Sequence, residues 1–396
     1  DEVAKPLGTV ELATATARRG AAEQSEPHPQ SSRRPRRPRL RVASAPSKCH
    51  PGSMEFGWYH EFHRQEAQQS DADAFAQALE QVADAERWGL DAIWLAEIHQ
   101  QATRSVLSAP LTVAAAIATR TTRIKIGTAV QVLPLCHPLR LAEETATIDQ
   151  ISHGRLLLGA GRSGNVRGYA AYGVPYSESR ERFYETLDIL KVAWTQPSFS
   201  FQGQFYSFDE ARAVPRPYQR PHPPIRIAGA SEDTFPVLGA LGYPLFVAVR
   251  SGSLSGLAPD LKAYRDAYAA AGHPGKGEVY LRLSLHLADT DAQAREEAEP
   301  SVMLGYRSLT TRLEGSPNSR RRAELETVRT ITYDEVLRDK VVVGSPERVT
   351  DRLLQLRDEL GIDGILAELN FGSDIPWQMM MRSLQLLCEK VRPHFV

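Results

Sequence analysis

Residues 123–163 read RIKIGTAVQVLPLCHPLRLAEETATIDQISHGRLLLGAGRS, and their pattern predicts a strand, a helix and a second strand. Arg123 to Val130 is a β-branched, apolar run. Pro138 then opens the helix, because a first-turn residue needs no N–H, and Gly154 follows its end. A strand–helix–strand unit this short favours a parallel pair with a right-handed crossover. Both strands end in small residues, at the edge where parallel α/β folds bind ligands.

The same alternation of strands and helices continues along the chain. Eight strands are predicted, beginning near residues 54, 90, 123, 155, 225, 245, 279 and 362. A hairpin is predicted at 199–208, and a polar helical insertion at about 290–342, before the last helix–strand unit. This pattern is typical of either a (β/α)8 barrel or a doubly wound sheet. With 396 residues and 42% apolar residues, the chain is large enough for one barrel with a sizeable core.

Charge and cysteine content argue against several classes of protein. Residues 1–53 contain ten Lys or Arg and five Asp or Glu, so a net charge of −1 leaves −6 on the remainder. This acidic body argues against bulk nucleic-acid binding. Three cysteines far apart argue against a disulfide framework and a zinc site, and we expect no metal. The same cysteine content favours a reducing cytoplasm. No apolar run approaches the ~20 residues of a membrane span, so we expect no membrane partner.

Residues 1–53 are predicted to be a disordered tail, and residues 54–396 the barrel. The tail is rich in Ala, Arg, Ser and Pro and has little to bury. Its segment RRPRRPRLR at 33–41 carries six arginines, which indicates either a nucleic-acid or targeting patch or a plain tail. We favour the plain tail, as a leader or a non-native segment, because Gly52-Ser53-Met54 has the character of a cloning junction.

Several segments of the chain carry a resemblance to a known family. They are IGTAV, HPLRLAEETATIDQISHGR and LLLGAGRS within 123–163, and DAIWLAEIH at 91–99, SRERFYETLDIL at 179–190, PPIRIAGASEDT at 223–234 and VGSPERV at 343–349. In this order they resemble the bacterial luciferase-like flavin-dependent monooxygenases. The resemblance covers roughly Met54 to the C-terminus. It favours the (β/α)8 TIM barrel over the doubly wound sheet.

The resemblance implies a site for flavin mononucleotide (FMN) at the carboxyl ends of the strands. Arg162 and Arg180 are charged, planar groups suited to a phosphate, and Ser231 and Thr234 stand where a strand turns into a helix. These positions match family residues at the phosphate and ribityl end of the cofactor. Ala129-Val130 match a non-prolyl cis peptide under the isoalloxazine ring. The predicted cofactor-binding residues are Ala129, Val130, Gly161, Arg162, Arg180, Ala230, Ser231 and Thr234.

His99 is the first candidate for a catalytic residue, because an imidazole can donate or accept a proton near neutral pH. Glu97 precedes it by two residues, and His60 at the end of strand one is a rival base. The catalytic histidine of luciferases matches Ile98 here, and their reactive cysteine matches Gly161, so the resemblance does not imply light emission. The residues predicted to line a substrate pocket are Trp58, Tyr59, Ile98 and Phe371.

The resemblance also implies a mechanism and partners. FMNH2 from a separate flavin reductase would react with O2 to a C4a-peroxyflavin, which passes one oxygen to a small organic substrate such as an aldehyde or ketone. The insertion would be a lid, and the chain a homodimer. Two alternatives use the same barrel: an enzyme of deazaflavin- or flavin-dependent hydride transfer, and a flavin-free partner subunit. The two arginines argue against the loss of flavin.

Overall fold

A computed structural model of the protein describes residues 53–64, 69–229, 231–249, 252–314 and 325–396. Within these ranges, eight parallel strands close into a barrel, which confirms the predicted (β/α)8 fold. The strands in chain order are β1 (Glu55–His60), β2 (Ala92–Leu95), β3 (Lys125–Thr128), β4 (Gln131–Val132), β5 (Leu156–Gly161), β6 (Phe199–Gln202), β7 (Ser207–Ala211), β8 (Ile225–Ala228), β9 (Leu245–Ala248), β10 (Val279–Leu287), β11 (Val342–Gly344) and β12 (Gly364–Glu368). The predicted tail lies outside the described residues.

The barrel runs in the order β1-β2-β3-β5-β8-β9-β10-β12, and β12 pairs with β1 to close it. Short strand β4 continues β3 and pairs with β5. Strands β6 and β7 form the predicted antiparallel hairpin, and β11 pairs with the far end of β10. Because all eight barrel strands are parallel, their carboxyl ends meet at one mouth, where the loops that follow them converge.

The helices are α1 (Asp71–Arg87), α2 (Pro110–Arg120), α3 (Pro138–Ile151), α4 (Val166–Ala171), α5 (Ser179–Thr195), α6 (Thr234–Leu241), α7 (Ala258–Ala270), α8 (Asp291–Glu314), α9 (Leu325–Thr330), α10 (Tyr333–Asp339), α11 (Pro346–Leu360) and α12 (Trp377–Leu386). Side-chain caps start several of them, as at α11, where Ser345 Oγ accepts the N–H of Arg348. None of the helices in the described ranges combines the length and apolar character that crossing a bilayer needs.

Two elements differ from the prediction. The strand predicted over Arg123–Val130 is divided into β3 and β4, and the non-prolyl cis peptide that the resemblance implied lies between them, at Ala129-Val130. The alanine-rich stretch Leu107–Thr119 is predicted to be one helix, but the helix begins only at Pro110. Its first residues are engaged elsewhere, because the carbonyl of Leu107 accepts the N–H of Ile98 beside β2. This second difference arises from a contact between segments, which local periodicity does not encode.

Trp94 of β2 fills the centre of the barrel and is fully buried. A side chain at Gly57 or Gly127, on the two neighbouring strands, would collide with its indole ring. Below it, Glu55 of β1 meets Arg226 of β8, with Nη1 to Oε1 at 2.6 Å. This ion pair joins two strands that lie 171 residues apart in the chain.

Helix α8 opens the predicted insertion and is fastened to the loop after β12. The buried Ser301 Oγ donates to Asn370 Oδ1 at 3.1 Å and accepts the backbone N–H groups of Gly372 and Asp374. A side chain at Gly372 would collide with the carbonyl of Ser301. At the two ends of the barrel chain, the N–H of Met54 donates to the carbonyl of Phe395 at 3.0 Å.

Candidate functional site

Two predicted arginines and two predicted hydroxyls lie at neighbouring strand ends of the barrel mouth. Arg162 follows β5 and donates through Nη1 to Ser179 Oγ, at the start of α5, at 3.2 Å. Ser231 and Thr234 follow β8, and their hydroxyl oxygens are 2.7 Å apart. The N–H of Thr234, the first residue of α6, donates to the carbonyl of Ser231. The predicted Ala230 lies outside the described residues.

Asp233 links these groups electrostatically. Arg180 Nη1 lies 3.5 Å from Asp233 Oδ2, and both side chains are largely exposed. A hydrogen bond from Ser231, helped by the charges of Arg180 and Arg162, lowers the pKa of Asp233 below its usual range. All three residues are therefore close enough to Asp233 to act on the same carboxylate. The cluster of Arg162, Arg180, Ser231 and Thr234 is called the anion cradle below.

The backbone between β3 and β4 lies directly beside the end of β5. A Cβ on Gly161 would approach Val130 Cγ2 to 2.5 Å, so glycine is needed for this close contact. Ala129 and Val130 are half-buried and pack on the apolar cluster of the barrel interior. Gly161 precedes Arg162 in the chain. The anion cradle and this patch of small residues therefore form one continuous surface.

Glu97 and His99, from the loop after β2, form a hydrogen-bonded pair at the edge of that surface. His99 Nε2 lies 2.7 Å from Glu97 Oε1, and their side chains are 10% and 4% exposed. The other oxygen of Glu97 accepts from Gln131 Nε2 at 2.6 Å and from the N–H of Val132 at 2.8 Å. Glu97 thus holds His99 on one side and strand β4 on the other.

These residues fit an FMN. The anion cradle supplies guanidinium and hydroxyl donors for a phosphate, and beside it Val130 packs closely on Gly161, which has no side chain to stand in the way of a ring. Gln131 Oε1 is buried and has no hydrogen-bond partner among the residues that the structure describes. An unpaired buried acceptor is costly, so a donor from a bound group would be stabilising at this position. No cluster of described residues could hold a metal ion.

Comparison with known proteins places the chain in a family. The family model for luciferase-like monooxygenases matches residues 54–364. The chain belongs to this family. The enzyme is therefore a flavin-dependent monooxygenase, and the resemblance seen in the sequence is confirmed.

Individual relatives of this luciferase-like monooxygenase carry out different oxygenations. The oxygenase component of the flavin-dependent trigonelline monooxygenase of Acinetobacter baylyi is 25% identical over 86% of this chain and 96% of the relative. The FMNH2-dependent dimethylsulfone monooxygenase of Pseudomonas putida is 27% identical, over 81% and 86%. The oxygenating constituent of 3,6-diketocamphane monooxygenase from Pseudomonas putida, solved with FMN, is 20% identical with a TM-score of 0.74. It covers 87% of this chain and 99% of its own length, and shows the shared fold.

Trp58 and Tyr59, two of the four residues predicted to line a substrate pocket in this luciferase-like monooxygenase, line one cavity, and Ile98 and Phe371 are outside its lining. Tyr59 and Ile98 belong to the barrel-interior cluster, beside Ala129 and Val130. Trp58, the neighbour of Tyr59 on β1, is part of the other core cluster, because successive side chains of a strand point to opposite faces. Phe371 packs on Tyr306 of α8 with ring centroids 5.5 Å apart. The structure therefore leaves Tyr59 and Ile98 next to the proposed ring site.

His60 has a structural environment that argues against its predicted role as a base. Its Nδ1 accepts the N–H of Phe62 at 2.9 Å, and its Nε2 faces Gln81 Oε1 at 3.4 Å. Burial, together with the charge of His63, lowers the pKa of His60 to about 3. A neutral imidazole with both nitrogens engaged in the core holds the loop after β1 in place. This environment favours a structural role for His60, and its role as a base stays a prediction.

A buried network of charges at the mouth was not predicted. Tyr59 Oη donates to Glu61 Oε1 at 2.7 Å, and Arg104 Nε donates to Glu61 Oε2 at 2.7 Å. Arg282 lies 3.6 Å from the centre of the Tyr59 ring and donates through Nε to Glu368 Oε2 at 3.0 Å. In this network the two guanidinium groups, of Arg104 and Arg282, balance the two carboxylates, of Glu61 and Glu368. The wall beside Tyr59 is therefore polar, but its formal charges cancel.

Proposed function

We propose that this luciferase-like monooxygenase is the oxygenase component of a two-component, FMNH2-dependent system. It would receive reduced flavin from a separate flavin reductase and insert one atom of O2 into a small organic substrate, an aldehyde, a ketone or a similar compound. We further propose a homodimer in the cytoplasm, with no nucleic-acid or membrane partner. The observation that carries the proposal is the continuous surface from the anion cradle, past Gly161 and Val130, to Glu97 and His99.

Each part of that surface has a defined task in the proposed reaction. The anion cradle would hold the phosphate of FMN, because paired guanidinium groups and hydroxyls bind phosphate oxygens well. Ala129, Val130 and Gly161 would support the ring. Bound FMNH2 supplies the electrons that activate O2, with one oxygen atom entering the substrate and the other leaving as water.

His99 and Tyr59 are placed to act on what binds above the ring. His99, held by Glu97, would accept or donate a proton close to the flavin. The ring of Tyr59 and the side chain of Ile98 would limit the entry of water and position the substrate, with the polar network behind Tyr59. The cancelled charges behind Tyr59 favour a substrate without a net charge, which agrees with an aldehyde or ketone.

The proposal is tested by stopped-flow absorbance. The protein is loaded anaerobically with photoreduced FMN and mixed with oxygenated buffer. We expect a transient band that differs from both reduced and oxidised flavin. Immediate reoxidation with weak flavin binding would contradict the proposal, and binding of a deazaflavin in place of FMN would favour the hydride-transfer alternative.

Oxygen labelling tests the insertion itself. Aldehydes, ketones and other small organic compounds are supplied with photoreduced FMN and ¹⁸O2, and the products are analysed by mass spectrometry. We expect one ¹⁸O atom per product molecule for an accepted substrate. Products that carry oxygen from water alone would show that the protein does not transfer an atom of O2.

A further inference from the structure

The two ring nitrogens of His99 have different partners. Nε2 lies 2.7 Å from Glu97 Oε1, and Nδ1 lies 3.3 Å from the hydroxyl oxygen of Tyr172. A carboxylate can only accept a hydrogen bond, so the proton of a neutral His99 sits on Nε2. Nδ1 then carries the lone pair, and the Tyr172 hydroxyl is the group that donates to it.

Tyr172 is brought to His99 by the loop that follows β5. In this loop Asn165 Nδ2 donates to the carbonyl of His99 at 2.8 Å, and α4 runs from there to Tyr172. The rings of Tyr172 and His99 are 4.9 Å apart between centroids and tilted by 59°. The loop therefore contacts His99 at two places, the backbone carbonyl of His99 and its imidazole ring.

The groups around this contact keep the hydroxyl of Tyr172 protonated, so that it can donate a hydrogen bond. Burial and the charge of Glu97, with a smaller effect of Cys136, raise the pKa of Tyr172 above its usual value. Burial, helped by Glu97, raises the pKa of the Cys136 thiol to about 12. Both groups hold their protons at neutral pH. Glu97 is then the charged group that faces this imidazole.

We propose that Tyr172 is a positioning residue: its hydroxyl holds Nδ1 of His99 as a hydrogen-bond acceptor and so reinforces the Nε2–H tautomer that Glu97 favours. This inference rests on the proposed function and extends it, because a His99 held in this tautomer can take up a proton only at Nδ1, through the hydroxyl that already donates to it. The alternative is that Tyr172, which is half-exposed, only packs on the loop. In that case its ring would matter and its hydroxyl would not.

The tautomer is measured directly on the flavin-free full chain. The protein is labelled with ¹⁵N-histidine, long-range ¹⁵N–¹H spectra are recorded above pH 7.5, and the signals of His99 are assigned with His99→Gln. We expect the Nε2–H form in the wild type and a mixture with the Nδ1–H form in Tyr172→Phe. Unchanged ¹⁵N shifts of His99 in Tyr172→Phe would overturn the proposal.

Tyr218→Phe is the matched control, since Tyr218 is a second exposed tyrosine beside a histidine, His153. It is expected to leave the His99 signals in place. Thermal unfolding of both variants should match that of the wild type, because neither change removes an aromatic ring.

Single-turnover oxygenation separates this inference from the proposed function. We expect Tyr172→Phe to lower the oxygenation rate by about 10-fold, less than the 10²–10⁴-fold typical of losing a general base, with unchanged affinity for FMN. A shifted tautomer in a protein whose wild type oxygenates nothing would support the positioning and overturn the function. An unshifted tautomer with full oxygenation would overturn the positioning alone.

Discussion

At the scale of the residue, Arg162 and Arg180 carry the anion cradle. We expect Arg162→Ala and Arg180→Ala each to weaken FMN binding, because hydrogen bonds to charged groups contribute about 1.5–3 kcal/mol, or roughly 10–150-fold. The effect of Arg180 should be at the lower end, since its side chain is 47% exposed and screened by water. Anaerobic titration with FMNH2 measures both.

Two controls make the residue assignment specific. Riboflavin lacks the phosphate, so its affinity should change little in either variant. Asp233→Asn should have the opposite sign and tighten FMN binding, because the carboxylate competes for Arg180 and repels the phosphate. Equal losses for FMN and riboflavin would show that the arginines act on the fold and not on the phosphate.

The sequence predicted the candidate site residues that stand in family motifs. It did not predict the residues that hydrogen-bond to them. Arg162 and Gly161 were recognised in LLLGAGRS, and His99 in DAIWLAEIH. Tyr172 and Gln131 carried no signal, because a single tyrosine or glutamine has no periodicity and no local partner. Their roles depend on hydrogen bonds to the loop after β2, which lies 34 to 73 residues away.

At the scale of the element, Ser301 decides how α8 is held. We expect Ser301→Ala to lower the free energy of unfolding by about 1–3 kcal/mol, since it leaves two backbone N–H groups and Asn370 Oδ1 without this partner. Urea denaturation measures the change. Ser308→Ala is the control, because Ser308 lies exposed on the same helix and alanine favours helices. Equal effects of the two substitutions would contradict this role.

Most elements could be predicted from periodicity and caps. The strands predicted to begin near residues 225, 245 and 279 begin at Ile225, Leu245 and Val279. The insertion is helical as predicted, although its residues 315–324 lie outside the described residues. What periodicity could not show is that Ser301 fastens its first helix to the loop after β12.

At the scale of the whole molecule, buried groups make the stability of the barrel depend on pH. Burial alone would raise the pKa of Glu55, but Arg226 and Lys125 lower it to about 2. Its contribution, of roughly 3 kcal/mol, is complete above its usual pKa of 4.5 and lost as the pH falls towards 2. The pKa of His60 falls from 6.5 to about 3, so its contribution is complete above pH 6.5 and lost towards pH 3.

The free energy of unfolding should therefore decline first below pH 6.5 and more steeply below pH 4.5. Urea denaturation at stepped pH measures both parts. His60→Asn should flatten the first part, because it removes the group that must take up a proton. Parallel pH curves for the wild type and this variant would show that other groups cause the early loss.

The charge network of the mouth is a property of the closed barrel and was not predicted. Glu61 and Arg104 are 43 residues apart, and Arg282 and Glu368 are 86 apart. No local pattern pairs such residues. They meet because the closure of β1, β10 and β12 brings their ends to one side of the mouth.

The hydrogen bond between Met54 and Phe395 indicates that the chain could be circularly permuted. The first and last residues of the barrel are within bonding reach, so a short peptide could join them without disturbing a single strand pairing. New termini could then be opened at an exposed loop away from the mouth, such as the one around Gly275. The barrel is a closed ring of eight strand–helix units, so the pairing of its strands does not depend on which unit comes first in the chain.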